Sequence, residues 1–297
     1  MKECIGIRYV IIPAEDRITG AGTSGARYLL YRKLKRIRLY IRIRKEEMME
    51  NNEIYGDFAW VYDTFMDNIP YDEWFAYLHG LLQKYGITEG IVVDIGCGTG
   101  ILTQKMQQAG YYMIGIDLSE EMLEIARERV PAEVLLLNQD MREMDLYGSA
   151  AAMYCICDGM NYMCSAEDFK KVLERVYLFL DNGGIFIFDL KTAYFYEKIL
   201  GNRTIVDNRE NATLIWENEY DTETQINEYL VTIYREAEED SDIFYRDEEL
   251  HRQRAYSIDA LEKLFKEQLF SNVKFYHAFT EDIPKEDSER IYIIAQK

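Results

Sequence analysis

The stretch "IVVDIGCGTG" at residues 91–100 decides the fold of this 297-residue chain. Its first half is short, apolar and β-branched, as in a strand that is buried on both faces of a parallel sheet. Its second half places Gly96, Gly98 and Gly100 at alternate positions, so the backbone can turn sharply and lie close to a bulky ligand. The residues that follow have the apolar spacing of a helix ending near Gly110. Strand, glycine turn and helix predict the first unit of a nucleotide-binding sheet.

The spacing of the glycines indicates which nucleotide this turn would hold. Dinucleotide-binding loops follow G-x-G-x-x-G, whereas here Gly100 comes one residue too early for the third glycine. Asp94, just ahead of the turn, would favour a ligand that carries a cation over a pyrophosphate. The stretch resembles motif I of the class I S-adenosylmethionine (SAM) methyltransferases, which implies SAM as cofactor and S-adenosylhomocysteine as product. The cofactor-binding residues predicted in this turn are Asp94, Gly96, Cys97, Gly98 and Gly100.

A second strand and helix are predicted in "YYMIGIDLSEEMLEIARERV", residues 111–130, with Ser119 as the helix cap. Asp117 ends the strand 21 residues after Gly96, where an acidic side chain can accept hydrogen bonds from ribose hydroxyls. Taken alone, Asp117 could equally be a capping aspartate, but its place after this glycine turn favours the ribose role. Its neighbour Leu118 is predicted to join the cofactor site.

Two further strand ends place polar residues at the same edge of the sheet, where ligands of open α/β sheets bind. The strand near 134–138 leads to Asp140 and Met141. The resemblance implies that Asp140 receives the adenine amino group and that the Met141 backbone amide meets the ring. The strand near 151–157 leads into a segment that resembles the fourth motif of the family, beside the transferable methyl group. The residues predicted there are Asp158, at the cofactor, and Asn161 and Tyr162, at the substrate.

The resemblance covers about residues 54–199 and 250–297. It predicts an α/β fold, a Rossmann-like doubly wound sheet of seven strands whose last strand is antiparallel. The intervening residues 200–250 alternate apolar and polar positions between turn signals, which predicts three antiparallel strands. We therefore expect a SAM-binding core at 49–199 and 251–297, and a small β lid at 200–250.

Residues outside the cofactor motifs should select the substrate. An aromatic segment at 54–86 resembles the N-terminal helical cap of small-molecule methyltransferases, and its Tyr62 and Tyr71 either face the site or pack the helix onto the sheet. The polar residues of "HRQRAY", 251–256, either reach the site or make salt bridges and caps. Because a sulfonium is already an activated methyl donor, a base is needed only for a protonated acceptor. The candidate bases are Tyr62, Asp158, His251 and Tyr256, and the candidate substrate residues are Tyr71, Asn161, Tyr162 and Arg254.

Charge and composition restrict the classes of molecule that the protein is expected to bind. Residues 1–45 carry 12 Lys and Arg against 3 Asp and Glu, whereas the rest of the chain carries 22 against 50. An acidic protein of this kind repels nucleic acid phosphates, which favours a small-molecule substrate or a basic protein segment. No apolar run approaches the ~20 residues that would span a membrane.

Five cysteines without a C-x-x-C pair, and three well-separated histidines, predict no metal site. Two of the cysteines, Cys155 and Cys157, are expected within a buried strand. Without a convincing signal peptide, the expected location is the reducing cytoplasm.

The basic segment at residues 1–48 matches nothing in the methyltransferase pattern and ends in "KEEMM" at 45–49. Codons for Lys-Glu-Glu can contain a bacterial ribosome-binding sequence. We therefore expect translation to start naturally at Met48 or Met49, with a nucleic-acid or membrane-surface arm as the alternative.

The sequence thus predicts a monomeric or homodimeric SAM-dependent methyltransferase that acts on a nitrogen or oxygen of a small molecule. An RNA- or protein-directed methyltransferase and a non-catalytic SAM-binding scaffold remain the alternatives. The glycine spacing weighs against a nicotinamide oxidoreductase.

Overall fold

The computed structural model describes residues 59–67, 69–237 and 243–297. The predicted basic extension, residues 1–48, lies outside this part of the chain. Two helices come first, α1 (Ala59–Phe65) and α2 (Tyr71–Lys84). The apolar side chains that predict α2 are buried as expected, with Phe75 partly so: Trp74, Leu78, Leu81 and Leu82.

The main body follows as alternating strands and helices. In chain order these are β1 (Ile91–Ile95), α3 (Ile101–Gln108), β2 (Tyr112–Asp117), α4 (Glu120–Arg129), β3 (Leu135–Asn138), β4 (Ala150–Cys155), α5 (Ala166–Phe179) and β5 (Leu180–Lys191). A second group of strands comes next: β6 (Thr204–Asn208), β7 (Ala212–Asp221), β8 (Ile226–Glu236) and β9 (Phe244–Arg254). The chain ends with α6 (Ile258–Lys266), β10 (Asn272–His277) and β11 (Arg290–Gln296).

Seven strands form one sheet in the order β10-β11-β5-β4-β1-β2-β3. The sheet is parallel except for β11, which runs antiparallel to both of its neighbours. This confirms the predicted Rossmann-like α/β fold with an antiparallel last strand. One face of the sheet is covered by α5 and α6 and the other by α2 and α3, so that β1 and β4 are buried on both sides.

Serine caps begin three of the crossover helices. The Oγ atom of Ser119 accepts a hydrogen bond from the Met122 amide at 3.1 Å, as the sequence predicts. Ser165 and Ser257 cap α5 and α6 in the same way. Each cap fixes where the chain leaves a strand edge and turns back over the sheet.

The four strands β6 to β9 form a separate antiparallel sheet. The prediction of three strands is therefore wrong by one, because β6 is only five residues long and shows too little alternation to stand out. The last strand ends at Arg254, within the "HRQRAY" stretch. Phe65 of α1 shares a buried cluster with Leu214 and Ile233, so the cap helix packs against this small sheet.

One local expectation needs correction near β4. The strand ends at Cys155, and Cys157 lies beyond it with a φ of 70°. The neighbouring strand β5 has an irregularity, where the pairing steps from Ala150 with Leu180 to Ala152 with Ile185. In the described part of the chain, no helix has the length and apolar character needed to span a membrane.

Candidate active site

The glycine turn after β1 leaves open space above its backbone. Gly96, Gly98 and Gly100 all have positive φ, at 72°, 53° and 77°. A Cβ added at Gly96 or Gly98 would meet nothing within 4 Å, whereas one at Gly100 would lie 3.1 Å from the Ala126 Cβ. The first two glycines thus leave room for a ligand, and the third lets α4 pack closely against the turn.

Asp117, at the end of β2, organises the same turn. One carboxylate oxygen accepts the Gly98 amide at 2.8 Å, and the other accepts the Ser119 amide at 2.9 Å. Burial raises the pKa of Asp117, because hydration of the charged form is lost. Each oxygen still has a lone pair for a ribose hydroxyl, so the predicted ribose role fits this geometry.

Asp94 is a second buried carboxylate at this edge. Only 3% of the residue is exposed, and its Oδ2 accepts the Thr103 hydroxyl at 2.5 Å. Burial raises the pKa of Asp94 to about 7, although the hydrogen bond from Thr103 opposes the shift. Among the described residues, neither Asp94 nor Asp117 has a cation at ion-pair distance. A ligand that brings positive charge and hydroxyl donors fits this place, and SAM carries both.

The predicted adenine side lies at the ends of β2 and β3. Asp140 holds Arg142 through both carboxylate oxygens, at 2.9 Å to Nε and 2.5 Å to Nη2. Burial would raise the pKa of Asp140, but Arg142 lowers it overall, so the carboxylate stays an acceptor. Leu118, the residue after β2, is 57% exposed and available to cover a flat ring. Met141 packs partly into the main core.

The Cys97 side chain packs against the sheet, whereas the glycines on either side of it leave open space. Its thiol packs against Gly115 of β2, where an added Cβ would lie 2.9 Å from the sulfur. Both Cys97 and Gly96 donate their amides to the Ile116 carbonyl. The side chain therefore holds the turn onto β2.

Asp158, predicted as a cofactor ligand and a candidate base, lies in a buried ion-pair network. Its oxygens are 2.6 Å from Arg290 Nη2 and 2.6 Å from Lys191 Nζ. Its amide donates to Asp189 at 3.0 Å, and Asp189 also pairs with Arg290. Although burial would raise it, these two cations lower the pKa of Asp158 to about 2. A carboxylate this weakly basic is unsuited to accept a proton at neutral pH, which argues against Asp158 as the base.

The backbone at this point is strained. Cys157 and Asp158 both have positive φ, at 70° and 64°, and neither is glycine. Such conformations cost of order 1–3 kcal/mol each and persist where surrounding contacts demand them. Here the contact is the bond from the Asp158 amide to Asp189.

Tyr162 and His251 meet across the two sheets. Tyr162 ends a 3₁₀ turn (Gly159–Tyr162) after β4, and His251 lies on β9. The Tyr162 hydroxyl is 3.0 Å from His251 Nδ1, and His251 Nε2 is 3.2 Å from Glu249 Oε2. The structure thus brings two of the predicted residues together and adds a carboxylate that the motif analysis missed.

Three other predicted residues hold this turn in place. The Asn161 amide bonds to backbone groups of Lys191 and Arg254. Arg254 donates to the Cys164 carbonyl at 3.0 Å, and the Tyr256 hydroxyl donates to the Met163 carbonyl. Burial raises the pKa of Tyr256. The structure therefore gives Asn161, Arg254 and Tyr256 structural contacts at this turn, and their substrate and base roles stay predictions.

The cap helix α1 is tied to the glycine turn. The Thr99 hydroxyl donates to Asp63 at 2.8 Å, and Arg129 pairs with Asp63 while donating to the Thr99 carbonyl at 2.6 Å. Tyr62, one residue before Asp63, hydrogen-bonds Tyr71 at the start of α2. Burial raises the pKa of Tyr71, which disfavours a phenolate there. These contacts place both predicted tyrosines beside the turn.

Sequence reasoning missed several residues of this site. Glu249 was detectable, since it lies two positions before His251 on a strand and so shares its face. Thr103, on α3, faces Asp94 across the turn. The pairing of Lys191 and Arg290 with Asp158 joins strands about a hundred residues apart, for which one sequence carries no local signal. Within the described residues, no cluster of His, Cys, Asp and Glu could hold a metal ion.

Comparison with known proteins supports the resemblance to methyltransferases that the sequence motifs show. A family model described as a methyltransferase domain matches residues 92–184. A protein of Geobacillus sp. (strain WCH70), provisionally named a methyltransferase, is 30% identical over 248 residues, which cover 82% of this chain and 99% of the relative.

Two solved structures share the fold. A SAM-dependent methyltransferase from Clostridium acetobutylicum ATCC 824 has a TM-score of 0.71 at 24% identity, over 82% of this chain and 98% of that one. SAM-bound CalS10, an amino pentose methyltransferase from Micromonospora echinaspora, has a TM-score of 0.63 at 15% identity, over 83% of this chain and 99% of that one. Because the Geobacillus relative aligns over nearly its whole length and the domain match begins in the strand that leads into the glycine turn, this chain belongs to the class I SAM-dependent methyltransferases.

Proposed function

We propose that this SAM-dependent methyltransferase methylates a nitrogen or oxygen atom of a small molecule. The observation that carries the proposal is two pairs of polar aromatic side chains on the elements that follow or adjoin the predicted SAM-binding edge. Tyr62 and Tyr71 pair within the cap, and Tyr162, on the turn after β4, pairs with His251 of the small sheet. Such groups suit an acceptor with few atoms and several hydrogen-bonding positions.

Charge supports a small acceptor over a nucleic acid. The chain has a formal net charge of −19, and residues 200–250 hold 15 acidic against 4 basic residues. A phosphate backbone would be repelled by this small sheet, which we propose to act as the lid of the active site. The likeness to CalS10, an amino pentose methyltransferase, makes amino sugars the first acceptors to test.

The same proposal includes the cellular setting. All four cysteines of the described residues are unpaired, which suits the reducing cytoplasm. A monomer or homodimer remains our prediction for the assembly.

Methyl-labelled SAM tests the proposal directly. The protein is incubated with amino pentoses, other amino sugars, small phenols and amines, and, in a separate arm, transfer RNA. We expect label in a small molecule, with one S-adenosylhomocysteine released for each methyl transferred. Label in the transfer RNA alone would show a nucleic-acid methyltransferase. SAM binding by calorimetry without product from any arm or from a metabolite extract would leave a SAM-binding scaffold.

A further inference from the structure

The inward face of β9 carries a row of three polar residues. Glu249, His251 and Gln253 alternate along β9 and are all buried. On β8, the buried residues directly opposite the first two are Val231 and Tyr229. Buried polar groups cost free energy unless they are hydrogen-bonded, so this row calls for an explanation.

The hydrogen bonds of Gln253 account for its burial, because its Oε1 accepts the hydroxyls of Tyr196 at 2.8 Å and Tyr229 at 2.6 Å.

Glu249 and His251 form a different hydrogen-bond series. Glu249 Oε2 is 3.2 Å from His251 Nε2, and His251 Nδ1 is 3.0 Å from the Tyr162 hydroxyl. This series ends at Tyr162, on the turn after β4 at the SAM-binding edge.

The direction of these hydrogen bonds follows from the groups themselves. An ionised carboxylate only accepts, so His251 must carry its proton on Nε2 and donate it to Glu249. His251 Nδ1 is then an acceptor, and the Tyr162 hydroxyl donates to it. Tyr162 is half-buried, at the end of the turn after β4.

We propose that Tyr162, His251 and Glu249 form a proton relay that takes up the proton released by the methyl acceptor, with Glu249 as the positioning residue. This rests on the proposed methyl transfer to a small molecule. A lone pair of the acceptor forms a bond to the methyl carbon, while the carbon–sulfur bond breaks and its electrons remain on the sulfur of S-adenosylhomocysteine. The acceptor proton passes to the Tyr162 oxygen, and the Tyr162 proton passes to His251 Nδ1. Glu249 stabilises the resulting imidazolium.

The relay specifies the class of acceptor. A neutral amine can attack a sulfonium without a base, because it can shed its proton afterwards. A hydroxyl, or an amine bound as an ammonium, must lose its proton before or during transfer. The relay is therefore suited to an acceptor of the second kind. Asp158 and Tyr256 do not compete for this role, since both are engaged in the contacts described above.

Imidazole nitrogen NMR tests the relay without any acceptor. The chain has three histidines, which single His→Gln variants assign. In the protein bound to S-adenosylhomocysteine, we expect His251 to carry hydrogen on Nε2 with an unprotonated Nδ1. Tyr162→Phe should move only the Nδ1 resonance, and Glu249→Gln should mix the two tautomers. A His251 that carries its hydrogen on Nδ1, or that does not respond to Glu249→Gln, overturns the proposal.

Kinetics test the same residues in turnover. With the acceptor that is methylated in the labelled-SAM assay, Glu249→Gln should lower kcat about 10- to 100-fold and Tyr162→Phe by at least ~100-fold. The dissociation constant of SAM should change less than twofold. Glu248→Gln is the matched control, because Glu248 lies one position along β9, on the other face, and pairs with Arg246. Its kcat should equal that of the wild type.

The two proposals can fail separately. If the wild-type protein methylates no small molecule, the proposed function fails, while the tautomer of His251 still tests the hydrogen bonds from Glu249 to Tyr162. If the wild type turns over and both Glu249→Gln and Tyr162→Phe keep its kcat, the relay fails and the function stands.

Discussion

The ends of β1 and β2 and the ends of β4 and β5 both carry buried aspartates on one sheet, yet their surroundings are opposite. Asp158, after β4, lies between Lys191 and Arg290. Asp94 on β1 and Asp117 on β2 accept from a hydroxyl and from backbone amides, with no cation at ion-pair distance among the described residues. The first region, the ion-paired edge, is balanced in charge. The second, the unpaired edge, is not.

The difference shows in the proton affinity of each carboxyl. Burial opposes ionisation at both edges, but Arg290 and Lys191 outweigh it and lower the pKa of Asp158 to about 2. At the unpaired edge burial prevails and raises the pKa of Asp94 to about 7. The charges of the ion-paired edge are balanced without a ligand, so we expect this edge to serve stability. A ligand that brings positive charge would balance the unpaired edge, so we expect that edge to serve binding.

The largest effect should come from breaking the ion-paired edge. Asp158→Asn leaves Lys191 and Arg290 short of one negative charge in a buried place, which should lower the free energy of unfolding by about 3–5 kcal/mol. Urea denaturation measures this at pH 7. Glu197→Gln, in the exposed pair with Lys198, is the control and should change it by less than about 1 kcal/mol.

The same edge has a predictable response to acid. Because the folded pKa of Asp158 is depressed, its contribution is complete above pH 4, near the ordinary value, and is lost as the pH falls from about 4 through about 2. The Asp158→Asn variant should lack that part of the acid transition. A variant as stable as the wild type would show that the network is not structural.

The second largest effect concerns ribose recognition at the unpaired edge. Asp117→Ala should weaken SAM binding by about 1.5–3 kcal/mol, since a charged acceptor is lost and the Gly98 amide loses its partner. S-adenosylhomocysteine should weaken equally, because it carries the same ribose. Calorimetry with both ligands measures this, and strong discrimination between them would place Asp117 near the sulfonium.

Asp94→Asn should separate stability from binding. Because the folded pKa of Asp94 is raised, the carboxyl costs nothing below pH 4 and its burial cost grows as the pH rises through about 7. At pH 8 the ligand-free variant should be more stable than the wild type by about 1–2 kcal/mol. It should also bind SAM several-fold more weakly. Unchanged stability at pH 8 would mean that Asp94 already has its counter-charge.

The smallest effect should come from the cap. Asp63→Asn keeps an acceptor for Thr99 but loses the charge that holds Arg129, which should weaken SAM binding about two- to fivefold, or ~0.5–1 kcal/mol. Asp72→Asn, in the more exposed pair with Lys105, is the matched control. Equal SAM affinity in both variants would show that α1 does not steady the glycine turn.

Much of the fold and of the cofactor site could be predicted from the sequence, because these features depend on residues that are close together along the chain. The run 91–95 and the alternate glycines after it predict a buried strand and an open turn, and both are present. Ser119 caps α4 as expected, and Asp117 ends its strand beside the turn. Each of these features depends on residues within about 25 positions of one another, so periodicity and spacing suffice to find them.

The tertiary structure alone decided which contacts these polar residues make. Among the candidate bases, Asp158 pairs with Arg290, which comes from a strand at the far end of the chain and helps to keep the carboxylate ionised. The Tyr256 hydroxyl donates to a backbone carbonyl. His251 contacts Glu249 on its own strand and Tyr162 on the turn after β4. The proton affinity of a side chain depends on charges and burial that non-local pairing brings together, and no spacing within the sequence encodes them.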